Sequence, residues 1–127
     1  MYVDKREKTE YILKSYDEDM LLHRLGNIIF QIETRGSYNP NLILELDFNI
    51  NFKTIGETAF KKYSGIIKTK ICASYENMKE SGILDTTESI HLFILGYLMG
   101  TDVQRAIALC VAALIAKQGL YSFCKQT

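Results

Sequence analysis

The chain has 127 residues, of which 47% are hydrophobic and 24% charged, enough apolar material for a single domain over 1–127 with a buried core. Lysine plus arginine balances aspartate plus glutamate at fifteen each, so no net field draws the chain to nucleic acid or to an anionic membrane. One proline, eight glycines and no Ser/Gly-rich tract argue against disorder and against a flexible linker.

The opening Met1-Tyr2-Val3-Asp4-Lys5 lacks the basic end, apolar middle and small-residue cleavage site of a signal peptide, which implies a cytoplasmic protein. Cys72, Cys110 and Cys124 are an odd number, with no CxxC pair and no histidine at metal-ligand spacing. They read as free thiols of a reducing compartment.

From about Lys5 to Leu25 the sequence is charged and then increasingly apolar, with Ser15 and Glu18 at the spacing of a capping box. A helix starts or restarts there. Two continuations compete. In one, the stripe Leu21, Leu22, Leu25, Ile28, Ile29 and Ile32 carries the helix on to Gly36. In the other, the helix stops at Gly26, and the alternation around Ile28, Phe30 and Ile32 forms a strand over about 27–34.

The next segment favours the second continuation. From Leu42 to Phe52 apolar residues fall on every even position, and polar ones on nearly every odd position. That is a long strand with one dry face, and it needs a hydrogen-bonding partner. A turn through Arg35 to Asn41 makes the two segments an antiparallel hairpin, about 27–34 and 42–52.

Thr54 and Glu57 form another capping box, and Ile55, Ala59, Phe60, Tyr63, Ile66, Ile67, Ile71 and Met78 share one side of a helix over about 55–80. Ser64-Gly65 in its middle implies a bend or a close packing contact. Two short apolar helices come after it, over about 86–99 behind Asp85-Thr86-Thr87-Glu88 and over about 102–118 behind Thr101-Asp102-Val103-Gln104. Small residues at Gly96, Gly100, Ala108, Ala112 and Ala116 allow close backbone approach.

The fold class expected from these elements is helix-dominated α+β, with an all-α chain in which 16–35 is one helix as the alternative. No GxSxG, P-loop, GxGxxG or HExxH is present, so no residue is assigned a catalytic role and no cofactor or metal is implied. His91 with Glu88 and Asp85 is the only local acid/imidazole grouping. Helix capping explains both acids, and His23 stands alone.

Absent chemistry combined with excess apolar surface favours a small non-enzymatic protein-interaction module: a subunit, adaptor or inhibitor that meets another protein chain as a homodimer or hetero-complex. Its contact residues would be Leu44, Leu46, Phe48 and Ile50 on the strand edge, or Tyr97, Met99 and Leu109 on the apolar helices. The lysine-, asparagine- and isoleucine-rich composition is of the kind that low-GC bacteria and their phages produce, which suggests an accessory role in phage–host conflict.

Three other classes are weighed against this one. A membrane-active effector would insert the helix pair over 90–118, but Thr101, Asp102, Gln104 and Arg105 interrupt it and each half is short for hydrocarbon. Nucleic-acid binding would use Lys53, Lys61, Lys62 and Lys68, a face that is more often simply solvated. A small enzyme would need chemistry that no motif reveals.

Overall fold

The computed structural model describes residues 9–39, 51–74, 86–101 and 103–125. Among them the chain is all-α: α1 (Thr9–Ser15), α2 (Glu18–Arg35), α3 (Phe52–Ile71), α4 (Thr87–Met99), α5 (Arg105–Gln118) and α6 (Leu120–Lys125), with a short 3-10 helix over Cys72–Ser74 after α3. The expected α+β class is therefore corrected to all-α. Residues 27–34 are helical, which leaves the hairpin without its first strand. The stretch 42–50, with Leu44, Leu46, Phe48 and Ile50, lies outside the described residues. So does Met78, at the far end of the helix expected over 55–80.

Local chemistry explains why α2 runs through Gly26. Asp17, rather than Ser15, is its N-cap, and the side chain accepts from the Met20 N–H at 2.8 Å. At the other end Gly36 adopts φ 82° and donates its N–H to the Ile32 carbonyl, the left-handed stop that glycine provides without a Cβ penalty. Between them Leu21, Leu25 and Ile28 are fully buried, on the spacing of one helix face. Gln31 sits on the same helix with 1% exposure: its Nε2 donates to Asn27 Oδ1 at 3.1 Å and its Oε1 accepts from the Asn39 N–H at 3.0 Å. A buried amide satisfied in this way pins the chain beyond Gly36 back onto α2.

The N-cap of α3 lies three residues before the expected one. Asn51 is the N-cap and accepts from the Thr54 N–H at 3.2 Å. Phe52, the last residue of the expected strand, is instead the first of this helix, buried with its ring edge-on to His23 and Phe30 at 5.2 and 5.7 Å.

α2 and α3 form the most extensive helix pair, and two glycines set their separation. A Cβ on Gly26 would lie 1.7 Å from the Phe52 carbonyl oxygen, and one on Gly56 would lie 1.9 Å from the Leu22 carbonyl oxygen. The helices thus meet backbone to backbone. Gly65 and Gly96 have nothing within 4 Å of such a Cβ, so the close contacts expected at Ser64-Gly65 and at Gly96 are not there.

α5 is the centre of the molecule, touched by each of the other five helices. Ten consecutive residues, Ile107 to Ala116, are buried. Such a helix is apolar on every side because it has no side facing water. Leu109 is among them at 1% exposure, so a contact role for Leu109 is corrected to a core role. No helix among the described residues is long and apolar enough to cross a membrane.

The cysteines depart most from expectation. Cys72 and Cys124 form a disulfide that fastens α6 to the end of α3 across 52 residues of sequence. Leu120 and Phe123 of α6 are buried, and the Lys68 ammonium lies 5.3 Å from the Phe123 ring centroid. Only Cys110 is a free thiol. It is buried in α5, and burial pushes it up to about 12, which leaves it inert.

Candidate functional site

Two concave surfaces stand out, one apolar and one polar. The apolar one is a groove between α2, α3 and the corner where α4 meets α5. One half, a cavity of about 420 Å3, is lined by Ile29, Ile32, Tyr63, Ile66, Tyr97, Val103 and Ile107 among others. The other half, about 370 Å3, continues along α3 past Ile55, Thr58 and Ala59. Ile29, Glu33, Lys62 and Tyr63 line both halves, so the two are parts of one trough.

The periodicity that builds the core also builds this trough. Ile29 and Ile32 lie on the flank of the α2 stripe, and Tyr63 and Ile66 lie on the flank of α3 beside buried Ile67. Ile66 is 53% exposed, a large apolar side chain left in water inside an apolar trough. Glu33 on the α2 wall and Lys62 on the α3 wall are both exposed, and neither forms an ion pair among the described residues. Lys62 lies 5.6 Å from the Tyr63 ring centroid.

The polar surface is a cleft of about 540 Å3 on the other side of α2. Met20, His23, Arg24 and Asn27 recur there at helical spacing, joined by Tyr16 before the helix and by Asp19, Tyr38 and Lys53. Arg24 stacks over Tyr16 at 5.2 Å, and Lys53 pairs with Asp19 at 3.0 Å. The hydrogen bond and charge of Asp19 raise the Lys53 ammonium above its ordinary value, so it stays protonated. His23 makes no hydrogen bond among the described residues; its ring meets the edge of Phe52.

Of the expected contact residues on the apolar helices, Tyr97 lines the groove and Met99, 42% exposed, lies at the end of α4. The four lysines do not share one setting. Lys53 pairs with Asp19 beside the cleft, Lys62 lines the groove, Lys68 covers Phe123 and Lys61 is exposed. The groove residues Ile29, Ile32 and Val103 are not singled out as contacts by sequence reasoning. For Ile29 and Ile32 the signal is an apolar stripe on α2 wider than one core face requires, and Val103, just before α5, carries none.

His91 is fully buried rather than presented to a substrate. Its Nδ1 lies 2.8 Å from Thr9 Oγ1 and its Nε2 lies 3.2 Å from the Leu109 carbonyl, joining α1, α4 and α5. The carbonyl can only accept, so Nε2 carries the proton and the Thr9 hydroxyl donates to Nδ1. Asp85 lies outside the described residues, and Glu88 is an exposed residue in the first turn of α4. The acid/imidazole grouping is thus corrected to a structural clamp.

Burial holds His91 below the usual imidazole value, partly offset by the Leu109 carbonyl and the charge of Glu88. Unfolded chains take up this proton near the ordinary 6.5 while the folded state resists it. Stability from this group is therefore full above about 6.5 and is lost as pH falls from there towards the lowered folded value. Urea midpoints between about pH 7.5 and 5 should fall more steeply for the wild type than for His91→Gln. Parallel profiles would contradict the clamp.

Among the described residues no group of three His, Cys, Asp or Glu side chains stands close enough to hold a metal ion. No family model, no curated protein and no solved structure matches this chain.

Proposed function

We propose that this chain is a small non-enzymatic protein-interaction module, acting as a subunit, adaptor or inhibitor, and that the apolar groove between α2, α3 and the α4–α5 corner is its docking face. The observation that carries this reading is Ile66, 53% exposed between Tyr63 and Tyr97 along a trough floored by Ile29 and Ile32. Covering such a side chain removes apolar area from water, and aromatic neighbours supply the rigid walls typical of protein contact sites.

The apolar C-terminal helix, by contrast, is consumed by the chain's own core, which shifts the docking role from Leu109 to the groove. His91 is likewise buried, held between Thr9 and the Leu109 carbonyl rather than offered to a partner.

Ile66→Asp tests the proposal. The residue is on the surface, so helix content by circular dichroism should not change. Capture of a partner by the immobilised chain should weaken by roughly tenfold or more, the effect of a charge at the centre of a contact. Equal capture by wild type and variant would overturn the assignment of this face.

A further inference from the structure

The groove presents opposite charges on its two walls, Glu33 on α2 and Lys62 on α3, with apolar residues between them. Neither charge is neutralised by an ion pair among the described residues of its own chain. A partner seated here therefore needs a cation over the α2 wall and an anion over the α3 wall, flanking apolar side chains.

A second copy of this chain carries that pattern. In a two-fold contact each surface meets itself, so residue i faces j wherever j faces i. We propose that the groove is the interface of a homodimer, with Glu33 of each copy facing Lys62 of the other and Ile66 buried near the axis. This inference rests on reading the groove as a docking face.

Two further features fit a second copy. The chain has a formal net charge of zero, so two copies approach without net repulsion. The exposed Ile66 beside Tyr63 and Tyr97 gives a two-fold contact an apolar centre inside a charged rim, the layout of a closed interface.

Analytical ultracentrifugation of the full chain tests this directly. At tens of micromolar the wild type should sediment at twice the 14.5 kDa chain mass. Glu33→Lys places lysine against lysine twice in one dimer, and Lys62→Glu places glutamate against glutamate twice. Each should weaken dimerisation by roughly tenfold. The double variant E33K/K62E restores opposite charges at both contacts and should recover wild-type affinity.

A monomeric wild type, single variants that dimerise unchanged, or a double variant that does not recover would each overturn the homodimer. The docking face itself is judged separately. Loss of capture of a different protein by Ile66→Asp in a monomeric chain would retain the groove and replace its occupant. Unchanged capture together with a monomer would remove both.

Discussion

Gly26→Ala should destabilise the fold by about 4 kcal/mol, near the top of the range for single substitutions. The new Cβ would sit 1.7 Å from the Phe52 carbonyl oxygen and 3.0 Å from the Gly56 nitrogen, both backbone atoms that no rotamer change can move aside. Only separation of α2 from α3 relieves the overlap. That separation loosens the largest helix–helix contact in the molecule and its buried neighbours Leu25 and Ala59. Gly56→Ala should act alike, since its Cβ meets the Leu22 carbonyl oxygen from the opposite helix. Gly65→Ala is the internal control. It lies exposed on α3 with nothing within 4 Å, and should stabilise by about 0.5–1 kcal/mol through helix propensity alone. Chemical denaturation of the three variants checks the set. Similar midpoints for Gly26→Ala and Gly65→Ala would contradict the backbone contact.

Breaking the Cys72–Cys124 bond should cost about as much. A cross-link spanning 52 residues restricts the unfolded chain by about 4 kcal/mol on loop-closure grounds, a large share of the 5–15 kcal/mol by which domains are usually stable. Guanidinium midpoints should therefore fall sharply on adding a dithiol reductant, and Cys124→Ser should show the low midpoint with or without it. Thiol titration provides a second readout. Folded protein should expose no reactive thiol, because Cys110 is buried with its thiol pushed up to about 12. Denatured, unreduced protein should titrate a single thiol. Three titratable thiols in that state would rule the cross-link out.

These two features explain much of what is hidden from sequence reasoning. Gly26 resembles a helix stop because glycine lowers helix propensity by about 1 kcal/mol, and that cost argues for a strand over 27–34. The cost is offset by the close approach of α3, a tertiary contact with no local trace. Gly36 is legible as a C-terminal stop, and the buried Leu21, Leu25, Ile28 spacing supports one continuous helix. The hairpin reading rests only on the alternation from Leu42 to Phe52, which asks for a partner strand.

Caps are visible in kind but displaced in place. Asp17 and Asn51 win over Ser15 and Thr54 because their side chains reach the backbone N–H three residues on. α4 and α5 fall where two apolar helices are expected, yet an all-round apolar sequence suits a core helix and an assembly helix equally. Only the surrounding helices show that Leu109 faces the chain's own interior. The cysteine pairing is illegible for the same reason, since a separation of 52 residues becomes a bond only once α6 docks beside the end of α3. Of the candidate site, only Tyr97 is named from the sequence as a contact; Lys62 is read as part of a lysine face and Tyr63 and Ile66 as part of the apolar stripe, and their convergence on one trough depends on how α2 crosses α3.

The central claim is that this trough receives a protein. Site-specific photo-crosslinking tests it most directly, with a benzophenone side chain at position 66 inside the groove and, for comparison, at position 61 on another side of α3. A discrete protein adduct is expected from position 66 and none from position 61, with the second copy of the chain as the adduct in purified protein. No adduct from position 66, or equal adducts from both positions, would contradict the claim.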